Sequence, residues 1–258
     1  MKIAVCIKLV PSTTALIRVA ASGLSLDLAG VELVLSPYDE LALEEALRTR
    51  EKFAGSELLA LSIGGHGATR ILEHAYALGV DRALLVKAVD LDARAAARCA
   101  AAALKSFAPD LVFCGRQAID DDQWLFPGAL AEWLDLPHVT ALSSFELDAG
   151  GGKATCRRRI EGGEECIELR LPAVVSCDKG LNDPRSPTLK GRLNSKKKPI
   201  TIQTPADLGL DAAALAPAFQ ISGYAPPPAK SPGRVLSSPP QAAAAELARL
   251  LREEAKVI

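Results

Sequence analysis

Four times in the first 136 residues, a short apolar run is followed by a stretch with helical periodicity. "IAVCIKLV" (3–10) precedes "PYDELALEEALRTREKF" (37–53), and "ELLALSI" (57–63) precedes "ATRILEHAYALG" (68–79). "RALLVKA" (82–88) then leads to "LDARAAARCAAAALKSF" (91–107), and "DLVFCG" (110–115) to "LFPGALAEWLDL" (125–136), which reads as mostly helix. Few folds accept this alternation. A strand that is apolar along its whole length must be covered on both faces, and a helix between two strands makes them parallel. The expectation is an α/β, doubly wound, mostly parallel sheet.

Helix boundaries are legible as well. Ser36 stands at an N-cap position, Pro37 at the first helical position, and Asp39 completes an S-x-x-D capping box. Gly79 closes the second helix. After residue 142 the pattern changes. "SSFELDAGGGKATCRRRIEGGEECIELRLP" (143–172) contains two charged, alternating segments joined through "EGGEE", which predicts an inserted antiparallel hairpin. "AVVSCD" (173–178) returns to a buried strand. The division expected is a nucleotide-binding-like α/β domain over 1–200 and a C-terminal arm and helix over 201–258. The arm is rich in proline and too poor in large apolar residues to build a core of its own.

Composition removes several functions. The formal charge is −1, so no global field draws the chain to nucleic acid or to a membrane. The dense basic run "KGRLNSKKK" (190–198) has no aromatic interleaved for base stacking. The cysteines at 6, 99, 114, 156, 166 and 177 form no C-x-x-C pair, and with three histidines there is no zinc spacing. Free cysteines in apolar runs point to a reducing, cytoplasmic compartment. The first run is too short to span a bilayer. No histidine or serine stands in a nucleophile motif, so no catalytic residue is assigned.

In an open parallel sheet, ligands bind beyond the carboxyl ends of the strands. Three segments converge there: Lys8–Thr14, Gly64–Gly67 and Gly115–Asp122. The "GGHG" of the second is either a plain tight turn or a place where backbone approaches a phosphate or a flavin. The run Asp120–Asp122 is expected to cap the next helix and to contact a nucleotide, for instance at a ribose hydroxyl. A metal site is not expected, because no second acidic cluster or histidine joins these aspartates.

The stretches "SPYDELALEEALR", "ALGVDRALLV", "DLVFCGRQAIDDD" and "LPAVVSCDKGLNDPRSPTLKGRLNSKKKPI" together resemble the beta subunit of electron transfer flavoprotein, in order and across almost the whole chain. The resemblance implies a Rossmann-like, adenine-nucleotide-hydrolase-like fold. It also implies a heterodimer with an alpha subunit that holds most of one FAD. Electrons would come from flavin dehydrogenases of the acyl-CoA dehydrogenase type and pass to a quinone oxidoreductase. By the same resemblance, Cys6, Ser36, Gly115, Ala118 and Asp121, with Gln123 beside them, belong to an AMP pocket. Thr13 lies on the loop facing the alpha-bound flavin, where Ser12 replaces the family's aspartate. Leu189 matches a leucine that anchors partner dehydrogenases on a polar loop.

One stretch departs from the family. After the aspartates the family carries polar residues that grip a phosphate, and here stand Gln123, Trp124, Leu125, Phe126 and Pro127. Proline lacks the amide donor, and the apolar side chains offer a phosphate almost nothing. The expectation is that AMP binds weakly, in an altered pose, or not at all, with apolar side chains filling the site. The same shortage weighs against a second FAD of the bifurcating type. Two other classes are a stand-alone adenine-nucleotide sensor and an ATP-pyrophosphatase-like enzyme. The latter needs a glycine-rich loop after the first strand, and "KLVPSTT" has no glycine.

Overall fold

The computed structural model of the protein describes residues 1–230 and 232–258. The chain begins with β1 (Lys2–Cys6), β2 (Leu9–Pro11), β3 (Arg18–Val19), β4 (Leu26–Asp27) and β5 (Leu33–Leu35), and then enters α1 (Pro37–Lys52). β6 (Glu57–Gly64), α2 (Thr69–Leu78), β7 (Arg82–Lys87), α3 (Ala93–Lys105), β8 (Leu111–Gly115) and α4 (Leu125–Leu134) complete the alternating half. β9 (His138–Leu147), β10 (Lys153–Ile160), β11 (Gly163–Arg170), β12 (Ala173–Cys177), α5 (Leu189–Ser195), β13 (Ile200–Gln203) and α6 (Pro240–Glu253) follow.

Nine strands form one sheet in the order β11-β10-β9-β12-β8-β1-β6-β7-β13. The pairings from β9 across to β13 are parallel, and those of β9–β10 and β10–β11 are antiparallel. The strands obey the period of two. Ile3, Val5 and Phe113 face a core covered by α1 and α2, while Ala4, Cys6 and Cys114 face a second core covered by α3 and α4. The doubly wound expectation is met. Each fully buried side chain of the size of Phe113, Leu58 or Leu72 contributes about 1.5–3 kcal/mol by leaving water.

Four boundaries correct the sequence reading. The first run is not one strand over 3–10. After Cys6 the chain leaves the sheet, because the Lys8 N–H donates to Asp39 Oδ2 (2.8 Å) and not to a ladder partner. It then pairs as β2 with β5 in a separate antiparallel ribbon. The capping box is also absent. Ser36 makes no side-chain cap, its Oγ is buried without a partner, and Asp39 points elsewhere. The aspartates do not cap α4, whose N-cap is Trp124. Finally, β9 is a full strand beginning at His138, five residues before the predicted hairpin region.

The hairpin itself forms as β10–β11 around Glu161–Gly162, with Gly162 at φ +79°. Leu169, Ala154 and Cys156 pack into the core, while Arg157–Glu164 and Arg158–Glu165 form ion pairs between the two strands. The chain after residue 200 divides. β13 adds an edge strand parallel to β7, and Leu208, Leu210 and Leu215 pack against the second core. The Arg94 and Arg98 side chains donate to the carbonyls of Ala216 and Ala214. Beyond Ala218 most of the described residues are exposed, with Leu236 and, on α6, Ala243, Glu246, Leu250 and Leu251 half-buried.

Candidate functional site

The winding order reverses between β1 and β8: β6 and β7 lie on one side of β1, β8 and β12 on the other. At such a switch point the loops leaving the two strands part and open a crevice. Here it is a cavity of about 510 Å³, within the range of small-molecule sites. Cys6 and Cys114 line its floor at the strand ends. Gly64, Gly65 and Gly67 form one wall, and the loop from Gly115 to Gln123 with Phe126 and Pro127 forms the opposite one.

Asp39 holds the two strand ends at the crevice. Its Oδ1 accepts from the Gly115 N–H (3.0 Å) and its Oδ2 from the Lys8 N–H (2.8 Å). One carboxylate thus takes the first free amide after β1 and the last amide of β8. Burial pushes this acid up to about 7, against the pull of the two amides and of the Lys8 cation. Gly115 is needed because a Cβ there would run into the Asp39 carboxylate and lie 2.9 Å from the Asp39 nitrogen.

Lys8 and the aspartates form the next layer. Lys8 Nζ donates to Asp120 Oδ1 (2.8 Å) and to Asp121 Oδ2 (3.0 Å). Burial works to lower the Lys8 pKa, but these carboxylates outweigh it and keep it above its ordinary value. Asp121 Oδ1 also accepts the Gln123 N–H (3.0 Å), and Asp122 accepts from the Gln117 amide (2.6 Å). The aspartates therefore satisfy their own loop. Beside them Arg116 stacks between the rings of Trp124 (4.3 Å) and Tyr38 (4.7 Å), and donates to Asp178 (2.8 Å) and to the Tyr38 hydroxyl (2.9 Å).

Of the residues assigned from sequence, Cys6, Gly115, Ala118, Asp121 and Gln123 meet around this one cavity. Ser36 is fully buried next to Asp39 and does not line it. Thr13 lies exposed in the turn after β2, outside the cavity. Leu189 is 76% exposed, and it opens α5 instead of lying on a loop, with Thr188 capping the helix through the Gly191 amide (3.0 Å). Lys8 and Asp39, which hold the site, carried no assignment. The signal for Asp39 was the acid in "SPYDE", read as a cap. Its partners are 31 and 76 residues away. Among the described residues no group of three metal-ligating side chains occurs.

The expectation that apolar side chains fill the site is corrected. Phe126 and Pro127 line the wall, whereas Trp124 and Leu125 point out, 53% and 47% exposed, and the cavity stays open. The Lys8 ammonium donates to Asp120 and Asp121 and the Gln123 amide to Asp121, so these carboxylates compete with a phosphate for those donors. Pro127 offers no amide.

A family model described as the electron transfer flavoprotein domain matches residues 23–208. The chain is 36% identical to "Electron transfer flavoprotein subunit beta" of Syntrophomonas wolfei, an alignment covering 100% of this chain and 98% of that one. It is 36% identical to the protein of that name from Bacillus subtilis, over 89% of this chain and 90% of the other. The mitochondrial beta subunit of Oryza sativa subsp. japonica is 35% identical, with both chains covered in full.

Proposed function

Since this chain belongs to the electron transfer flavoprotein family, matching its beta subunits from end to end, we propose that it is the beta subunit of a heterodimeric electron carrier. Its partner is an alpha subunit that holds most of one FAD, and FAD supplies the capacity to take up and release electrons. The chain's own part is architectural: it backs the flavin domain and presents a docking element to flavin dehydrogenases of the acyl-CoA dehydrogenase type. A quinone oxidoreductase receives the electrons, in the setting of fatty acid β-oxidation in the cytoplasm. No acid–base residue is needed for this, and Asp39 and Lys8 are engaged in holding loops together.

The observation that carries the reading is the full-length similarity. The geometry supports it in two places. The segment beyond Ala218 leaves Phe219, Ile221, Val235 and Leu247 between 48% and 84% exposed, which suits a surface covered by a second chain. Leu189 and Leu193, 76% and 62% exposed, stand one turn apart on α5. That pair suits the anchor of a docking surface. The segment leading to α5 is fastened to α1: Arg185 grips Glu44 and Glu51, and Asn182 donates to Glu45 (2.9 Å) and to the Leu41 carbonyl (3.0 Å).

The test is co-expression with the alpha subunit of the same organism, followed by FAD analysis per heterodimer. One FAD in a stable heterodimer supports the shuttle. Two FADs indicate a bifurcating enzyme, and a soluble monomer indifferent to the alpha subunit indicates a stand-alone sensor.

A further inference from the structure

We infer that His74 is a positioning residue for α5: uncharged, it lets α5 lie against α2 with Leu189 and Leu193 presented, and on taking up a proton it loosens α5. The consequence for electron transfer rests on the docking role proposed for α5, whereas the consequence for the placement of α5 does not.

α5 meets α2 with no side chain between them. A Cβ on Gly191 would run into the Ala77 carbonyl oxygen and lie 3.3 Å from the carbonyl carbon. The segment is tied on both sides of this contact. Before α5, Arg185 is held by Glu44 and Glu51. After it, Lys198 Nζ donates to the Val80 carbonyl (2.9 Å), and the Pro199 carbonyl accepts from the Tyr76 hydroxyl (2.6 Å). Between these ties lies a second cavity of about 230 Å³, bounded by α1, α2, the run from Pro184 to Pro187, and Arg192 of α5. His74 lines it. Residues three apart share a helix face, so His74 stands beside the point where Ala77 receives Gly191.

The charges around the ring decide what a proton does there. From α1, Glu44 is taken by Arg48 and Arg185, and Glu40 is half-buried with its carboxyl pushed up by burial. From the segment before α5, Arg185 is already neutralised by Glu44 and Glu51. On α2 itself, Arg70 lies one turn earlier and Glu73 is the preceding residue. From α5, Arg192 borders the cavity and has no carboxylate partner among the described residues. Burial lowers the His74 pKa, and the Arg192 charge lowers it further. Among the described residues the ring has no hydrogen-bond partner, so nothing offsets a charge placed on it. The contribution of such a histidine is fully present above its unfolded value near 6.5 and is lost as pH falls through the lower folded value. Glu40 has the opposite sign, since its raised carboxyl favours the folded state in acid. Loosening on acidification is therefore the signature of His74.

The experiment is amide hydrogen exchange of the FAD-containing heterodimer at about pH 7.5 and about pH 5.5, read as protection factors so that the intrinsic pH dependence of exchange drops out. Protection of Leu189–Ser195 should fall by about threefold or more on acidification, because each unit of lowered pKa changes the opening equilibrium by up to about tenfold. His74→Gln, which stays polar and cannot charge, should remove this step. Should that variant fold poorly, Arg192→Gln should shrink the step, since Arg192 is exposed and its loss leaves the Gly191 contact intact. In parallel, the KM of an acyl-CoA dehydrogenase for the carrier should rise in acid for the parent relative to His74→Gln, with kcat changing alike in both. Equal protection at the two pH values in the parent overturns the inference, and so does an equal step in the parent and both variants. Leu189→Ala tests the docking role separately: an unchanged KM removes that role, while the exchange result still decides the part of His74.

Discussion

Two carboxylates of α1, Asp39 and Glu44, behave in opposite ways. At its start, Asp39 is buried with no cation in direct contact, and its partners are two backbone amides. Burial dominates, and the acid is pushed up to about 7. Five residues on, Glu44 is equally out of water at 3% exposure. Burial would raise it too, but Arg185 and Arg48 more than offset that and hold it below the usual carboxylate range. The difference lies in the partner. An amide brings a partial charge that stays whatever the acid does, whereas a guanidinium brings a full charge that rewards ionisation. The first arrangement fixes the crevice of the sheet, and the second fastens the segment leading to α5.

The largest test of this contrast removes the close approach that Asp39 requires. Gly115→Ala puts a Cβ into the Asp39 carboxylate and against the Tyr38 backbone, neither of which can swing away. We expect a loss of about 3 kcal/mol or more of stability, or no soluble protein, measured by urea denaturation.

The second test is pH. Asp39 has a folded-state pKa of about 7, above its unfolded value near 4, so the folded state binds this proton more tightly. Its contribution is fully present below about pH 4 and is lost as pH rises through about 7. Glu44 has the opposite sign: its folded value is lowered, so its contribution is present above the unfolded value near 4.3 and is lost as pH falls through the folded one. Asp39→Asn should abolish the decline in stability between about pH 4 and pH 7. It should also cost about 1–3 kcal/mol, because the amide nitrogen cannot accept one of the two N–H groups. A denaturation series showing the same slope in variant and parent would remove the assigned role of Asp39.

The smallest effect is expected at Glu44. Arg185→Gln leaves Glu44 with Arg48 alone and Glu51 unpaired. Arg185 is 35% exposed, so screening reduces the loss to about 1 kcal/mol. The informative readout is local. Limited proteolysis should open the segment between Asp178 and Leu189 while the sheet stays resistant. Cleavage rates equal to those of the parent would show that Arg185 does not hold the segment.

What could be read from sequence followed the distance over which each interaction acts. Strands β6, β7, β8 and β12 and helices α1 to α4 announce themselves, because their signals are periodicities repeated over five to sixteen residues. Gly79 and Asp135 end helices in left-handed backbone within one residue of where the pattern stops. The errors occur where a polar side chain had a choice of partner. "SPYDE" offers a local capping box and a distant pair of amides, and Asp39 takes the distant pair because folding buries it between them. "DDD" offers helix capping, and the side chains turn instead to Lys8, Gln117 and Gln123. "QWLFP" was read as a plug, but only Phe126 and Pro127 reach the wall, since α4 turns Trp124 and Leu125 outward.

By itself, the sequence determined that this chain makes a covered parallel sheet, that β1, β6, β7, β8 and β12 belong to it, and which loops emerge at its binding edge. Its match to beta subunits also comes from sequence alone. Those properties rest on hydrophobic period and residue identity, which one dimension preserves. Only the tertiary structure decided that β1 ends at Cys6, that Asp39 closes the switch point, that Lys8 pairs with Asp120 and Asp121, and that the cavity stays open. Each of these depends on which polar groups meet after the strands are brought side by side. That competition is settled by burial and geometry across 30 to more than 100 residues of chain, as the Lys8 pairs with Asp39 and Asp121 illustrate.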